Sequence, residues 1–350
     1  MPSGSDSPAR SPRWIARAAL YLFCVAALFA LDQFVMAPLL LPYVYATIIR
    51  IGIYAILAAS LNLVNGVTGQ FSLGHAAFMA IGAYVAGAMS VAASGLVQNH
   101  PGWEGSAIQA GVFLAGCVAA VIVASLAGLT VGLPTLRLRG DYLAIATLGF
   151  GEITRVIFQG WDHPFGGATG LSGVPTVTSF FWTYLFAGTA ILLLRNLQWS
   201  GPGRDFMAVR EDEIAAAAVG VDVVRAKVVA FIVAAGFAGI AGVLLVHQNN
   251  GIDPQQAGFL NSIEIVVMVV LGGMGSLTGS ILGAALLVIL RAVVEGAPAL
   301  SDYARYENVI YPVLLIGLML VRREGLLGYK ELSWKTVTPL FTRWRKLEKL

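Results

Sequence analysis

Long apolar stretches recur along the whole chain, and a chain built that way has few environments in which its backbone can be satisfied. About 20 apolar residues form a helix of ~30 Å, the thickness of a bilayer's hydrocarbon core. Such stretches fall near residues 15–36, 44–64, 71–94, 107–133, 142–159, 177–195, 227–249, 256–273, 277–295 and 307–321. Only 12% of the 350 residues are charged and the mean hydropathy is +0.78, against roughly 25% charged in soluble domains. Lipid offers no water to an unpaired amide, so helices that close their own hydrogen bonds are expected. The fold class predicted is all-α, a polytopic membrane helix bundle of about ten transmembrane or re-entrant spans.

The cations are distributed unevenly. With a cytoplasmic N-terminus, 18 of the 22 basic residues fall on the inner side, among them Arg10, Arg137, Arg204, Arg210, Lys227 and Arg322. Only Arg305 falls outside, while Arg50, Arg155 and Arg291 lie within spans. Basic loops stay cytoplasmic, so both termini are expected inside, with residues 1–14 and 322–350 as tails. The run from Ile15 is too long for the core of a cleaved signal and reads as a retained first span. The outer loops instead carry aromatics, glycines and prolines, the largest being FGGATGLSG from Phe165 to Gly173.

One inner loop, 196–226, holds the densest charge in the chain. Within it Asp212 can cap a short helix, Glu213 suits the positive helix start, Ala215 to Ala218 propagate it, and Gly220 offers a left-handed stop. Such a segment is either a solvated connection or a docking element for a soluble partner.

Most catalytic chemistries find no support. His75, His100, His163 and His247 are scattered, no Cys/His/carboxylate set has metal-ligand spacing, and no G-x-S-x-G elbow occurs. Catalytic residues and a metal site are therefore not expected. Cys24 and Cys117 sit in apolar stretches, where a thiol behaves as a small hydrophobe. None of the five lysines follows a glycine, so the chain has no phosphate-binding loop of its own. Any ATP-driven movement requires a motor on another chain.

Polar groups within spans are costly and so informative. Asn62, Asn65, Thr68, Gln70, Ser72 and His75 cluster within fourteen residues; they either line a hydrophilic path or satisfy the backbone of a broken helix. Glu152 and Arg155, three apart, can pair on one helix face; a structural ion pair and a substrate or proton role are the two readings. Glu264 can reach the interface, and Arg50 and Arg291 can snorkel or pair. Small residues at helical spacing, such as Gly82 with Ala86, Gly128 with Gly132, and Gly236, Gly239 and Gly242, predict closely packed helices. Two stretches, Asn62 to Tyr84 and Val269 to Leu287, share a layout of apolar span, Gly-rich break and Gly-spaced helix, a pattern that can mark a central pathway.

Five blocks in order, NGVTGQFSLGHAAFMAIGAYVAG (Asn65 to Gly87), LRLRGDYLAIATLGFGEITRVI (Leu136 to Ile157), FGGATGLSGVP (Phe165 to Pro175), the stretch from Gly203 to Gly242 and SIEIVVMVVLGGMGSLTGSILGA (Ser262 to Ala284), resemble the inner-membrane permease subunits of branched-chain amino acid ABC importers of the LivM type. The resemblance runs over about 44–321 and departs at Ser280, where many relatives have proline. It implies a permease domain over 15–321 in a bacterial inner membrane, non-catalytic and without a cofactor of its own, ATP being used by partner subunits. It further implies a second permease of the LivH type, two ATP-binding subunits and a periplasmic solute-binding protein. An amino acid is the implied substrate; no nucleic-acid partner is expected. Arg210, Glu211, Asp212, Glu213, Ala216 and Gly220 match the family's ATPase-coupling motif within loop 196–226. Asn62, Asn65, Gln70, Ser72, His75, Thr147 and Glu152 are the candidates for the translocation path. Permeases for urea or short amides share these blocks, and a stand-alone secondary transporter or channel is the rival of another class.

Overall fold

The computed structural model describes residues 25–100, 102–135, 142–296, 317 and 325–326. In chain order its main helices are α1 (Pro42–Asn62), α2 (His75–Ala92), α3 (Trp103–Thr135), α4 (Tyr142–Gly160), α5 (Phe180–Gln198), α6 (Gly201–Glu211), α7 (Glu213–Ala218), α8 (Val223–Asn249), α9 (Phe259–Gly272) and α10 (Leu277–Gly296). The all-α membrane bundle is thereby found, but the count of ten spans is only partly met. Six described helices are long and apolar enough to cross a membrane: α1 to α3, α5, α8 and α10. The expected spans 142–159 and 256–273 are α4, which carries Glu152 and Arg155, and α9, whose 14 residues reach only ~21 Å. The first expected span is described from Val25, as the shorter apolar helix Val25–Phe34. The span 307–321 lies outside the described residues apart from Gly317, as do both tails apart from 325–326.

Helix α8 is the axis of the bundle. Of its most apolar window 72% is buried, against 28% for α5. The reason is the small residues Ala234, Ala235, Gly236, Ala238, Gly239, Ala241 and Gly242, which let neighbouring backbones come close. Gly82 of α2 lies against the Gly239 carbonyl, Gly242 against that of Met79, and Gly128 of α3 against the Ala235 methyl. A side chain at Gly82 or Gly242 would occupy space already filled by backbone. The expected small-residue packing is thus present, and α9 meets α10 the same way through Gly272 and Gly279.

The two ends of the bundle differ. At one end α5 leads into α6 and α7, and α8 leaves from them. At the other, Leu171–Ser172 (β1) pairs antiparallel with Gly251–Ile252 (β2). Tyr84 packs on Phe158 there with ring centroids 3.9 Å apart, and Leu171, Val174 and Ile252 complete an apolar cap.

Candidate functional site

The loop between α5 and α8 carries its own folding signals. Each of its three helix starts is capped by the preceding side chain: Ser200 accepts from Gly203 N, Asp212 from Ile214 N and Ala215 N, and Asp222 from Arg225 N. Gly220 ends α7 with φ +91. Its amide bonds to Ala217 O and that of Val221 to Ala216 O, the paired closure of a left-handed helix stop. The local reading of Asp212 to Gly220 therefore matches the structure.

The loop is also fastened to the bundle. Buried Ala216 packs in a cluster with Phe206, Val209, Leu194 and Ala226. Lys227, buried in the second turn of α8, donates through Nζ to the Glu213 carboxylate. Arg210 donates through Nη1 to Gly66 O at 3.1 Å and through Nη2 to Glu211 Oε1 at 2.6 Å. Around α7 two apolar side chains are left open: Ile214 in its first turn is 75% exposed and Val219, the residue after its end, 79%.

Gly66 belongs to the first Gly-rich break. Helix α1 does not stop at Asn62 but runs into a π-helical turn, Leu63–Val67, after which the chain is irregular until His75. The second break, between α9 and α10, sits against it: Gly275 N donates to Asn62 Oδ1 at 2.8 Å. The two stretches of similar layout therefore meet, and Arg210 holds one of them from the loop.

Within this junction Asn62, Asn65, Thr68, Gln70, Ser72 and His75 are all buried. Asn65 Oδ1 accepts from Ser72 N at 3.1 Å, Gln70 Nε2 donates to Thr68 Oγ1 at 2.9 Å, and His75 Nε2 pairs with Ser60 Oγ at 2.9 Å. Thr147 Oγ1 of α4 accepts from Leu73 N at 3.0 Å. Two of these bonds, those to Ser72 N and Leu73 N, pair side chains with amides of the broken backbone, and the other two join side chains to each other. Asn62 Nδ2, Asn65 Nδ2, Gln70 Oε1 and Ser72 Oγ nevertheless have no partner among the described residues, so the junction keeps unused hydrogen-bonding capacity.

Glu152 is not part of that junction. It pairs with Arg155 at 2.7 Å and accepts from Phe259 N at 3.2 Å, so it caps α9 at the end remote from Gly272. The ion pair foreseen from the i,i+3 spacing is present, with a capping role that no local spacing announces. Ser280, the departure from the family blocks, donates its amide to Ser276 O at 3.0 Å, a bond that a proline there could not make.

A second charged group lies toward the β1/β2 end. Arg291 and Glu295 of α10, Arg50 of α1 and Glu264 of α9 form a chain of ion pairs: Arg291 Nε to Glu295 Oε1 at 2.8 Å, Arg291 Nη1 to Glu264 Oε1 at 3.7 Å, and Arg50 Nη1 to Glu295 Oε2 at 3.9 Å. Arg291 thus pairs closely with Glu295 and Arg50 only loosely, while the Glu264 side chain is 13% exposed. Sequence reasoning passed over Glu295, although its i,i+4 spacing from Arg291 was a usable signal. It also passed over Lys227 as the partner of Glu213, fourteen residues away, for which no spacing rule exists.

Long apolar helices around a small-residue axis, with a capped polar platform at one end, define a polytopic α-helical membrane protein that carries an exposed docking-sized element. The chain belongs to the family described as branched-chain amino acid transport system / permease component, whose model matches residues 43–321. It is similar to the high-affinity branched-chain amino acid transport system permease protein LivM of Salmonella typhimurium, 35% identical over 309 residues that cover 79% of this chain and 68% of the relative. The LivM protein of Escherichia coli is 34% identical over the same shares. The LivH protein of Escherichia coli is 27% identical over 299 residues, 80% of this chain and 92% of the relative. No solved structure matches the chain.

Proposed function

We propose that this chain is the transmembrane permease subunit of a bacterial ABC importer for branched-chain amino acids, forming half of the translocation path by alternating access. ATP is hydrolysed on separate subunits. In this reading the chain pairs with a LivH-type permease in the inner membrane, binds two ATP-binding subunits on its cytoplasmic side, and receives substrate from a periplasmic solute-binding protein. Its termini and loop 196–226 face the cytoplasm.

The observation that carries the reading is α7. Two large apolar side chains, Ile214 and Val219, stand exposed on a charged loop, where the bundle does not cover them. Exposed apolar side chains rimmed by charge mark a protein contact. Glu213 ties the same helix to α8, and Arg210, at the end of the adjoining α6, ties the loop to the Gly66 break, so a partner that moves the α6/α7 platform moves the junction of both breaks. Arg210, Glu211, Asp212, Glu213, Ala216 and Gly220 then make the ATPase-coupling element. Asn62, Asn65, Gln70, Ser72, His75 and Thr147 form the part of the path that element displaces, while Glu152 lies farther along the path, at the opposite end of α9.

The test is co-purification. With Ile214→Asp and Val219→Asp together, the permease pair is expected to insert and assemble while recovery of the ATP-binding subunits and leucine uptake fall at least about tenfold, as for loss of an interface anchor. Full ATPase recovery with full uptake in that double variant would sink the docking role of α7.

A further inference from the structure

The ion-pair chain at the β1/β2 end borders a cavity of about 240 Å³, lined among others by Arg50, Glu264, Arg291, Glu295 and Gln256. That is below the roughly 300–1,000 Å³ of sites for drug-sized ligands, so it suits a small solute. Its polar lining balances to zero formal charge, two guanidinium groups against two carboxylates. Its apolar lining comes from Met79, Leu245 and Val288. A solute matching both would carry one positive group, one negative group and a short aliphatic arm.

Two of the lining groups have capacity to spare. Among the described residues Arg50 has no polar partner closer than the Glu295 carboxylate at 3.9 Å, beyond hydrogen-bonding range, although a guanidinium offers five donors. Gln256 Oε1 is buried with no partner among the described residues. A closed structural ion-pair network would use its strongest donors; this one leaves a guanidinium loosely held at the cavity wall. Charges kept within spans point to substrate paths when they face a cavity.

We propose that this cavity is an entry site for a zwitterionic aliphatic amino acid within the permease. The α-carboxylate binds Arg50, the α-ammonium lies between Glu264 and Gln256 Oε1, and the side chain rests on Leu245 and Val288. The site opens toward the face opposite α7. This rests on the importer reading given above, and adds to it where in this chain the substrate is first held. It also predicts discrimination, because urea has neither charge and no aliphatic arm.

The experiment uses the full transporter complex in proteoliposomes. Arg50→Gln and Glu264→Gln are each expected to raise the KM for labelled L-leucine about tenfold or more, the loss of one charge-assisted hydrogen bond, in complexes recovered with all subunits. Arg50→Lys is expected to restore part of the loss. Independently of transport, a cysteine at Thr47→Cys on the cavity wall, in a background with Cys24→Ala and Cys117→Ala, should be alkylated more slowly in millimolar L-leucine and at an unchanged rate in urea. An assembled Arg50→Gln complex with unchanged KM, or alkylation indifferent to leucine, overturns the site. If Arg50→Gln does not assemble, the alkylation result decides alone. If the wild-type complex takes up no leucine but alkylation is slowed by it, the importer reading fails and the binding site stands; if neither occurs, both fall.

Discussion

At the scale of single residues, the pair Glu213 and Lys227 carries the clearest asymmetry. The Lys227 side chain is 8% exposed and that of Glu213 47%, so the two partners do not depend on each other equally. Removing Glu213 leaves an ammonium in a place water scarcely reaches, whereas removing Lys227 leaves a carboxylate that water can solvate. Glu213→Ala is therefore expected to lower the thermal midpoint of the detergent-solubilised protein more than Lys227→Met. The loss should stay under the roughly 3–5 kcal/mol of a fully buried pair because of Glu213's exposure. The opposite order of midpoints would show that the pair does not anchor α7. Gly220 is a different case: its φ of +91 is a conformation side chains rarely adopt, yet nothing stands within 4 Å of where a Cβ would be. Its role is conformational, not steric, and the run Asp212 to Gly220 shows it in sequence because every signal there is local.

At the scale of elements, helix starts separate what local chemistry supplies from what it does not. In the loop, α6, α7 and α8 are capped by Ser200, Asp212 and Asp222, each adjacent in sequence. The preceding residues of α1, α2, α5 and α9 give no such cap. For three of these, other segments reach across instead: Asp32 and Tyr45 accept from Phe181 N and Phe180 N at the start of α5, Ser262 from Ala76 N in α2, and Glu152 from Phe259 N in α9. A buried amide must be paired, and within a bundle the partner comes from whichever helix packs there. Helix contacts follow the same division. Gly82→Ala would press a methyl onto the Gly239 backbone, while Gly149 has open space around it. Gly82→Ala is expected to reduce folded yield sharply, and Gly149→Ala to be neutral or stabilising by about 0.5–1 kcal/mol. Measuring monodisperse yield and thermal midpoint for both checks this; equal effects would deny the close α2/α8 contact.

At the scale of the whole molecule, the two ends carry different chemistry. One joins the capped loop to both Gly-rich breaks through Arg210 and Asn62; the other holds the β1/β2 pair and the ion-pair cavity. If the loop end is cytoplasmic, a cysteine at Val219→Cys should react with a membrane-impermeant maleimide only in inside-out vesicles. One at Thr169→Cys, in the β1/β2-end loop, should react only in right-side-out ones. Both substitutions fall on exposed residues, so accessibility reports sidedness rather than burial, and reversed labelling would invert the proposed direction of import.

By itself, the sequence determined that this chain is a helical membrane bundle with a capped polar loop, because apolar length, small-residue spacing and helix caps all act within a few residues of one another. It also pointed to the two breaks and to the residues around them. What only the tertiary structure decided is which groups meet. Gly275 finds Asn62 and Glu213 finds Lys227, while Glu152 serves α9 instead of the junction at the other end. Those pairings depend on where separate helices cross, and no periodicity along the chain encodes a contact between residues that only packing brings together.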